Sequence, residues 1–128
     1  MQDKPHTTFS IITPTYNRAE FLERVWESLN SQSAFISEWI VIDDGSTDKT
    51  NDIISKLQNI SSIKIIYKYS LNRGMTSAIN LGLKYITADY FFKLDSDDYL
   101  VKSSLKIISN HINRIKESEI SNKVNSYS

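Results

Sequence analysis

The stretch Tyr90–Tyr99, which reads Y-F-F-K-L-D-S-D-D-Y, places an apolar run directly before a cluster of carboxylates. A short apolar run bounded by polar residues is typical of a buried strand. The acids that follow it, Asp95, Asp97 and Asp98, cannot be packed into a core, because buried charges need partners and like charges repel. The stretch therefore predicts a strand whose carboxyl end lies at the surface and presents an acidic turn.

Two interpretations of this turn are open. Carboxylate oxygens are hard ligands, and a site with one or two of them typically shares a divalent cation with substrate phosphates. The alternative is a solvated acidic turn without a ligand, since short motifs often match by chance. An EF-hand loop starting at Asp95 is excluded, because its sixth position needs glycine and is Leu100 here.

Three further strand-like runs precede this one, and a helical pattern follows each of the four. Strands are predicted at Phe9–Thr13, Trp39–Ile42, Ile63–Tyr69 and Tyr90–Leu94. Helices are predicted at Ala19–Ser31, from a cap at Ser46 or Thr47 through Leu57, from Met75 to about Ile86, and from about Ser103 to Ile115. Gly82 inside the third helix predicts close packing against a sheet.

Strands that alternate with helices in this way predict an α/β fold with three layers, α/β/α, around a mostly parallel, Rossmann-like sheet. In such sheets, ligands bind outside the carboxyl ends of the strands. The unusual polar segments of the chain follow those ends, at Pro14–Arg18, Asp43–Ser46, Leu71–Gly74 and Asp95–Tyr99. This coincidence favours a binding site over a solvated turn.

Composition and length exclude several classes of protein. The 128 residues suit one domain, here residues 1–115 with a polar, flexible tail at 116–128. Basic and acidic residues number 15 each, which argues against a nucleic-acid partner. The absence of cysteine excludes disulfides and thiolate metal sites. Neither a signal peptide nor a membrane-spanning run is recognised, so we expect a cytoplasmic protein, including peripheral attachment at the inner face of a membrane.

Four segments, taken in order, resemble the successive motifs of family 2 glycosyltransferases, which are inverting enzymes with the GT-A fold. They are S-I-I-T-P-T-Y-N-R at Ser10–Arg18, I-V-I-D-D-G-S-T-D at Ile40–Asp48, N-R-G-M-T-S-A-I-N-L-G at Asn72–Gly82 and F-K-L-D-S-D-D-Y at Phe92–Tyr99. The resemblance covers about residues 9–110. It implies that residues 1–115 are a nucleotide-sugar-binding GT-A domain, truncated after the strand that carries the D-x-D motif and the following helix.

The resemblance also implies which residues bind the nucleotide. In the family, the segment matched by Pro14, Thr15, Tyr16 and Asn17 lies under the base, and Tyr16 packs against the base or ribose. An aromatic ring suits any base, because every base has a π-face.

Two further segments complete the implied nucleotide site. Asp43 and Asp44 match the uridine-binding pair, in which the carboxylate matched by Asp44 accepts a base N–H. Arg73, beside the flexible Gly74, could reach a phosphate.

The D-x-D motif of the family corresponds to Asp95 and Asp97. The resemblance implies that Asp97 is the direct ligand of Mg²⁺ or Mn²⁺ and that Asp95 contacts the ribose, the donor sugar or a metal-bound water. The metal would neutralise charge on the departing diphosphate. The role of Asp98 is left open.

The implied activity is transfer of a sugar from a UDP-sugar to a hydroxyl of a glycan or lipid-linked acceptor, as in polysaccharide biosynthesis. Family members continue beyond the length of this chain into an acceptor site and a general base. No residue here is assigned as that base, so we expect a donor-binding half. The alternatives are a non-catalytic nucleotide-binding or assembly domain and, less favoured, an unrelated α/β phosphatase. An open sheet edge at Tyr90–Leu94 predicts homo-oligomerisation.

Overall fold

The computed structural model describes residues 7–71 and 74–126, so Arg73 lies outside the described part of the chain. The strands are β1 (Phe9–Thr15), β2 (Ile36–Asp43), β3 (Ile65–Tyr69) and β4 (Tyr90–Lys93). The α-helices are α1 (Ala19–Asn30), α2 (Thr50–Ile60), α3 (Met75–Leu83) and α4 (Ser104–Ser126), and a 3₁₀ turn spans Ser33–Phe35.

The four strands form one parallel sheet in the order β3-β2-β1-β4. Strand β1 lies in the centre, with Ile11 opposite Trp39 of β2 and opposite Phe92 of β4. The predicted parallel α/β sheet is therefore confirmed. Because all four strands run in the same direction, their carboxyl ends meet at one edge, and the described residues that follow them lie there together.

Alternate residues of the strands pack on opposite faces of the sheet, as the period of two requires. Phe9, Ile11, Trp39 and Val41 belong to a core that includes buried residues of α1, α2 and α4. Ile12, Ile40 and Ile42 form a second core with Ala78 of α3. Both faces are thus covered, which gives the three layers and explains why the strands are apolar almost throughout.

Pro14 does not end the first strand, contrary to the prediction. Strand β1 continues through Pro14 and Thr15, both buried and paired with β2. The pairing with β4 ends two residues earlier, where the carbonyl of Ile12 accepts the N–H of Leu94 at 2.8 Å. Pro14 follows on that same side of the strand, where no ladder bond needs its missing N–H.

Three helix boundaries also differ from the prediction, and one of them is the end of α3, at Leu83 instead of about Ile86. Neither Ser46 nor Thr47 caps α2, which begins at Thr50. The first N–H of this helix, that of Thr50, donates to the Asp48 carboxylate at 3.1 Å. The last helix, predicted to end near Ile115 before a flexible tail over residues 116–128, continues to Ser126. Residues 116–126 contain no glycine or proline to stop it.

Strand β4 lies at one edge of the described sheet, as predicted. Its Phe91 side chain is 48% exposed, and an unpaired edge is a template for pairing with another chain. Self-association through this edge stays a prediction. Among residues 7–71 and 74–126, no helix combines the length and the apolarity that crossing a membrane would require.

The prediction that Gly82 allows close packing is supported. A Cβ atom added there would lie 2.9 Å from Cγ2 of Ile12 and 3.4 Å from Cγ1 of Ile42, both on buried strands. The side chain of Ile12 is branched and enclosed, so it has little freedom to move away.

We therefore expect Gly82→Ala to lower the free energy of unfolding, measured by urea denaturation. Overpacking a core typically costs ~1–3 kcal/mol, which exceeds the ~1 kcal/mol that alanine gains over glycine in a helix. The matched control is Asn80→Ala, at an exposed position of the same helix, which should be neutral or stabilising. Stabilisation by Gly82→Ala would contradict the packing account.

Candidate functional site

A cavity of about 400 Å³ opens at the carboxyl edge of the sheet, among the ends of β1, β2 and β4 and the start of α3. It brings together most of the side chains that the sequence predicted for a nucleotide and a metal. They are Pro14, Thr15, Tyr16, Asp44, Asp95 and Asp97. The position agrees with the rule that ligands bind outside the carboxyl ends of parallel strands.

Asp44 connects three of the elements that surround this cavity. Its backbone N–H donates to the carbonyl of Thr15 at 2.9 Å, and its Oδ2 accepts the N–H of Gly74 at 3.1 Å. Gly74 has φ of +91°, a left-handed conformation that favours glycine. The Asp44 residue is only 9% exposed, so its carboxylate is held firmly in the cavity wall.

Two polar atoms of residues that line the cavity are shielded from solvent and have no hydrogen-bond partner among the described residues. They are Oγ1 of Thr15 and Oδ1 of Asp95. The Asp95 atom lies 3.3 Å from Nζ of Lys93, which makes an ion pair whose alignment is too poor for a hydrogen bond. A shielded hydroxyl without a partner costs roughly 1–3 kcal/mol, so a ligand that satisfies it recovers that free energy.

The acidic turn after β4 is closed by a hydrogen bond from the N–H of Asp98 to the carbonyl of Asp95, at 3.0 Å. Carboxylate oxygens of Asp95, Asp97 and Asp98 all lie within 4.8 Å of one another. Opposite ligands of Mg²⁺ are separated by about 4.2 Å, twice the bond length of about 2.1 Å. The spacing thus fits a cation after small side-chain movements. Asp98 is therefore a third candidate ligand beside the predicted pair, Asp95 and Asp97.

Asp43 was predicted to contact the nucleotide, but the structure places it outside the cavity lining, at 1% exposure. Its Oδ1 accepts the N–H of Ser46 at 2.8 Å, and its Oδ2 accepts the hydroxyl of Tyr67. Burial and then this hydrogen bond raise the pKa of Tyr67, so the phenol stays protonated and keeps donating. Asp43 therefore shapes the loop that follows β2.

Asn17 is also outside the cavity lining. It has φ of 51°, and its Oδ1 accepts the backbone N–H groups of Thr47, at 2.8 Å, and of Asp48, at 3.3 Å. Its own N–H donates to Oγ of Ser46 at 2.8 Å. Asn17 thus joins the loop after β1 to the loop after β2. Arg73, the remaining predicted residue, lies outside the described residues.

Four residues that line the cavity were not assigned a binding role from the sequence, although two of them fall in the segments predicted for this edge. They are Arg18, Met75, Ala78 and Ser96. Arg18 matters most, because it brings a cation to a cavity that otherwise holds carboxylates. The available signal was its position directly after the P-T-Y-N segment, at the residue that precedes α1.

A sequence profile described as Glycosyl transferase family 2 matches residues 10–120. This chain belongs to glycosyl transferase family 2. The resemblance of the sequence to this family is thereby confirmed, and the GT-A fold is confirmed by the solved structures of relatives.

Among the family 2 relatives is poly(ribitol-phosphate) beta-N-acetylglucosaminyltransferase TarS of Staphylococcus aureus (strain Mu50 / ATCC 700699). The two sequences are 34% identical over 100 residues, which are 77% of this chain and 18% of TarS. The chain therefore spans less than a fifth of the length of this relative.

Two solved structures show the same fold. The structure of S. aureus TarS 1-349 in complex with UDP-GlcNAc has a TM-score of 0.73 and 31% identity, covering 84% of this chain and 32% of that one. Mannosyltransferase PcManGT from Pyrobaculum calidifontis, in complex with GDP-Man and Mn²⁺, has a TM-score of 0.67 and 21% identity, covering 80% and 34%. The second likeness concerns the fold alone.

The Asp48 carboxylate accepts hydrogen bonds from the first residues of α1 and α2, in the loop that follows β2. Its Oδ2 accepts the N–H of Ala19 at 3.1 Å, and its Oδ1 accepts the N–H and the hydroxyl of Thr50. Slight burial acts to raise the pKa of Asp48, but the hydrogen bonds from Thr50 and Ala19 outweigh it and lower the pKa.

A carboxylate whose pKa is lowered by folding stabilises the protein above its unfolded pKa of about 3.9 and loses that effect as the pH falls through its folded pKa. We therefore expect Asp48→Asn to lower the urea midpoint at neutral pH, with a difference from wild type that shrinks below about pH 4. Asp52→Asn, at an exposed position of α2, is the control. A difference that is constant with pH would contradict this assignment.

Proposed function

We propose that this chain is the nucleotide-sugar-binding part of an inverting, metal-dependent glycosyltransferase whose donor is a UDP-sugar. The observation that carries the proposal is the cavity that joins Tyr16, Asp44 and the acidic turn, and whose wall includes a shielded Thr15 hydroxyl without a hydrogen-bond partner among the described residues. Buried polar groups are normally satisfied, so the cavity is incomplete without a polar ligand. Membership of family 2 and the likeness to a UDP-GlcNAc-binding relative support the choice of ligand.

The base would bind at the end of the cavity formed by the loops after β1 and β2. Tyr16, which is 50% exposed, offers a ring face for stacking. The Asp44 carboxylate accepts an N–H, and the ring N3–H of uracil is such a donor. Cytosine carries an acceptor at the same ring position, so Asp44 distinguishes the two bases. The unpartnered Thr15 hydroxyl offers a further hydrogen bond to the nucleoside.

The diphosphate would lie across the acidic turn. Asp95, Asp97 and Asp98 fit a divalent cation, Mg²⁺ or Mn²⁺, since their carboxylate oxygens lie within 4.8 Å of one another and two of the three residues line the cavity. When bound, such a cation neutralises charge that develops on the leaving diphosphate. Arg18 lines the same cavity and adds a positive charge for a phosphate.

The reaction of the whole enzyme would be displacement at the anomeric carbon by an acceptor hydroxyl, with inversion. The residues of this chain bind and orient the donor. They leave the general base and the glycan or lipid-linked acceptor unassigned. Binding of the donor nucleotide is therefore the property by which the proposal is tested.

Calorimetry with UDP, in the presence and absence of Mn²⁺, tests the metal. We expect Mn²⁺ to raise the affinity for UDP and Asp97→Asn to lose most of that gain, because the amide keeps the shape and removes the charge. Asp89→Asn, at an exposed position before β4, should behave as wild type. Equal affinity of the wild type in both conditions would remove the metal from the mechanism, and release of phosphate from a generic ester would favour a phosphatase.

Comparison of UDP with CDP tests the role of Asp44. Asp44→Asn still offers an acceptor to the N–H of Gly74, so the fold should persist, but the charge that receives the uracil N–H is lost. A hydrogen bond to a charged group contributes roughly 1.5–3 kcal/mol, so the preference for UDP over CDP should fall by about that amount. A wild type that binds both nucleotides equally would refute the uridine assignment.

A further inference from the structure

The segment 97–105, which connects the acidic turn to α4, is attached to α1 by a row of polar side chains. Arg24, Ser28 and Gln32 are four residues apart, so they lie on one side of α1 and of the turn that follows it. Their partners are separated from them by 69 to 73 positions in the sequence. These three side chains therefore hold the segment 97–105 against α1 at several points along its length.

The end of the segment far from the acids is held in a buried environment. Gln32, at 7% exposure, donates from Nε2 to the carbonyl of Val101 at 3.1 Å and accepts the N–H of Leu105 at its Oε1, at 2.9 Å. Ser28 Oγ accepts the N–H of Leu100 at 3.1 Å. Most of this segment is outside the strands and helices, so these side chains satisfy backbone groups that secondary structure does not.

The end of the segment near the acids is held by Arg24. Its Nη2 donates to the backbone carbonyl of Asp97 at 2.9 Å, and its guanidinium carbon lies 5.0 Å from the centre of the Tyr99 ring. One side chain thus contacts the residues on both sides of Asp98. The hydrogen bond goes to the carbonyl, so it does not occupy the Asp97 carboxylate, and the positive charge offsets repulsion among the nearby acids.

We propose that Arg24 is a positioning residue that holds the acidic turn with the carboxylates of Asp97 and Asp98 converging on one point. This inference rests on the proposed cation site. A small divalent cation demands near-ideal placement of its oxygen ligands. Within the turn, the N–H of Asp98 donates to the carbonyl of Asp95. Arg24 adds an external support from a helix that buries Leu22, Val25 and Leu29 in the core.

Two substitutions separate the parts of this role. Arg24→Met removes the donors and the charge while keeping a long, helix-favouring side chain. Arg24→Lys keeps the charge but lacks the planar guanidinium that donates and stacks together. Arg24 and Lys102 line a second cavity, of about 440 Å³. Because Arg24 borders open space, a shorter side chain at this position causes no steric clash. Arg114→Met, at an exposed position of α4, is the matched control.

The first readout is calorimetry of UDP binding with and without Mn²⁺. Residues that orient metal ligands typically affect metal affinity about 10–100-fold. We therefore expect Arg24→Met to reduce the Mn²⁺-dependent gain in UDP affinity by about 10-fold or more, with an intermediate loss in Arg24→Lys. UDP affinity without Mn²⁺ should be unchanged, because Thr15, Tyr16 and Asp44 are not touched.

The second readout is hydrogen–deuterium exchange of the protein without ligands. Exchange at residues 97–101 should be faster in Arg24→Met and unchanged in β1 and in Arg114→Met. If Arg24→Met responds to Mn²⁺ as the wild type does, the inference is overturned and the proposed function stands. Loss of both UDP binding and stability in Arg24→Met would also overturn the inference, because Arg24 would then be a structural residue. If Mn²⁺ does not change the UDP affinity of the wild type, the metal-dependent function is overturned, and the role of Arg24 in metal binding is overturned with it. The exchange data would then show only whether Arg24 orders the turn.

Discussion

Parallel pairing of β1 with both of its neighbours is the interaction on which the rest of this structure depends. Because β2 and β4 run in the same direction as β1, the segments after all three strands meet at one edge of the sheet. Helices on both faces make this arrangement stable, since each strand buries side chains on either side. The cavity is a consequence of that geometry: its walls are the ends of β1 and β2, the turn after β4 and the start of α3.

The polar residues at this edge divide into two groups by the state of their hydrogen bonds. Asn17, Asp43 and Asp48 have oxygens occupied by backbone N–H groups or hydroxyls, and they give the loops their shape. Thr15 and Asp95 each keep a shielded oxygen without such a partner, and both line the cavity. The first group thus preorganises the site, and the second is where a ligand would add the missing contacts.

Much of this was predictable from the sequence, because apolar periodicity and the polar residues that end each run are local signals. They placed the four strands, the parallel sheet, the edge position of Tyr90–Lys93 and the close approach of Gly82. What could not be predicted depended on neighbours that the sequence does not reveal. Pro14 remains in a strand because β4 has already ended beside it, and adjacent acids such as Asp43 and Asp44 look alike until their partners are known. The support of the acidic turn by Arg24 joins residues 73 positions apart.

The central claim is that one nucleoside diphosphate and one cation bind together at this edge, and paramagnetic broadening of amide resonances by Mn²⁺ tests it most directly. With UDP present, trace Mn²⁺ should broaden the signals of Asp95–Tyr99 first and those of Thr15 and Asp44 next, while the amides of α2 beyond its first turn keep their intensity. UDP should make this pattern appear at lower Mn²⁺ concentration. Broadening that is spread over exposed acids such as Asp52 and Asp89, and that ignores UDP, would contradict the account.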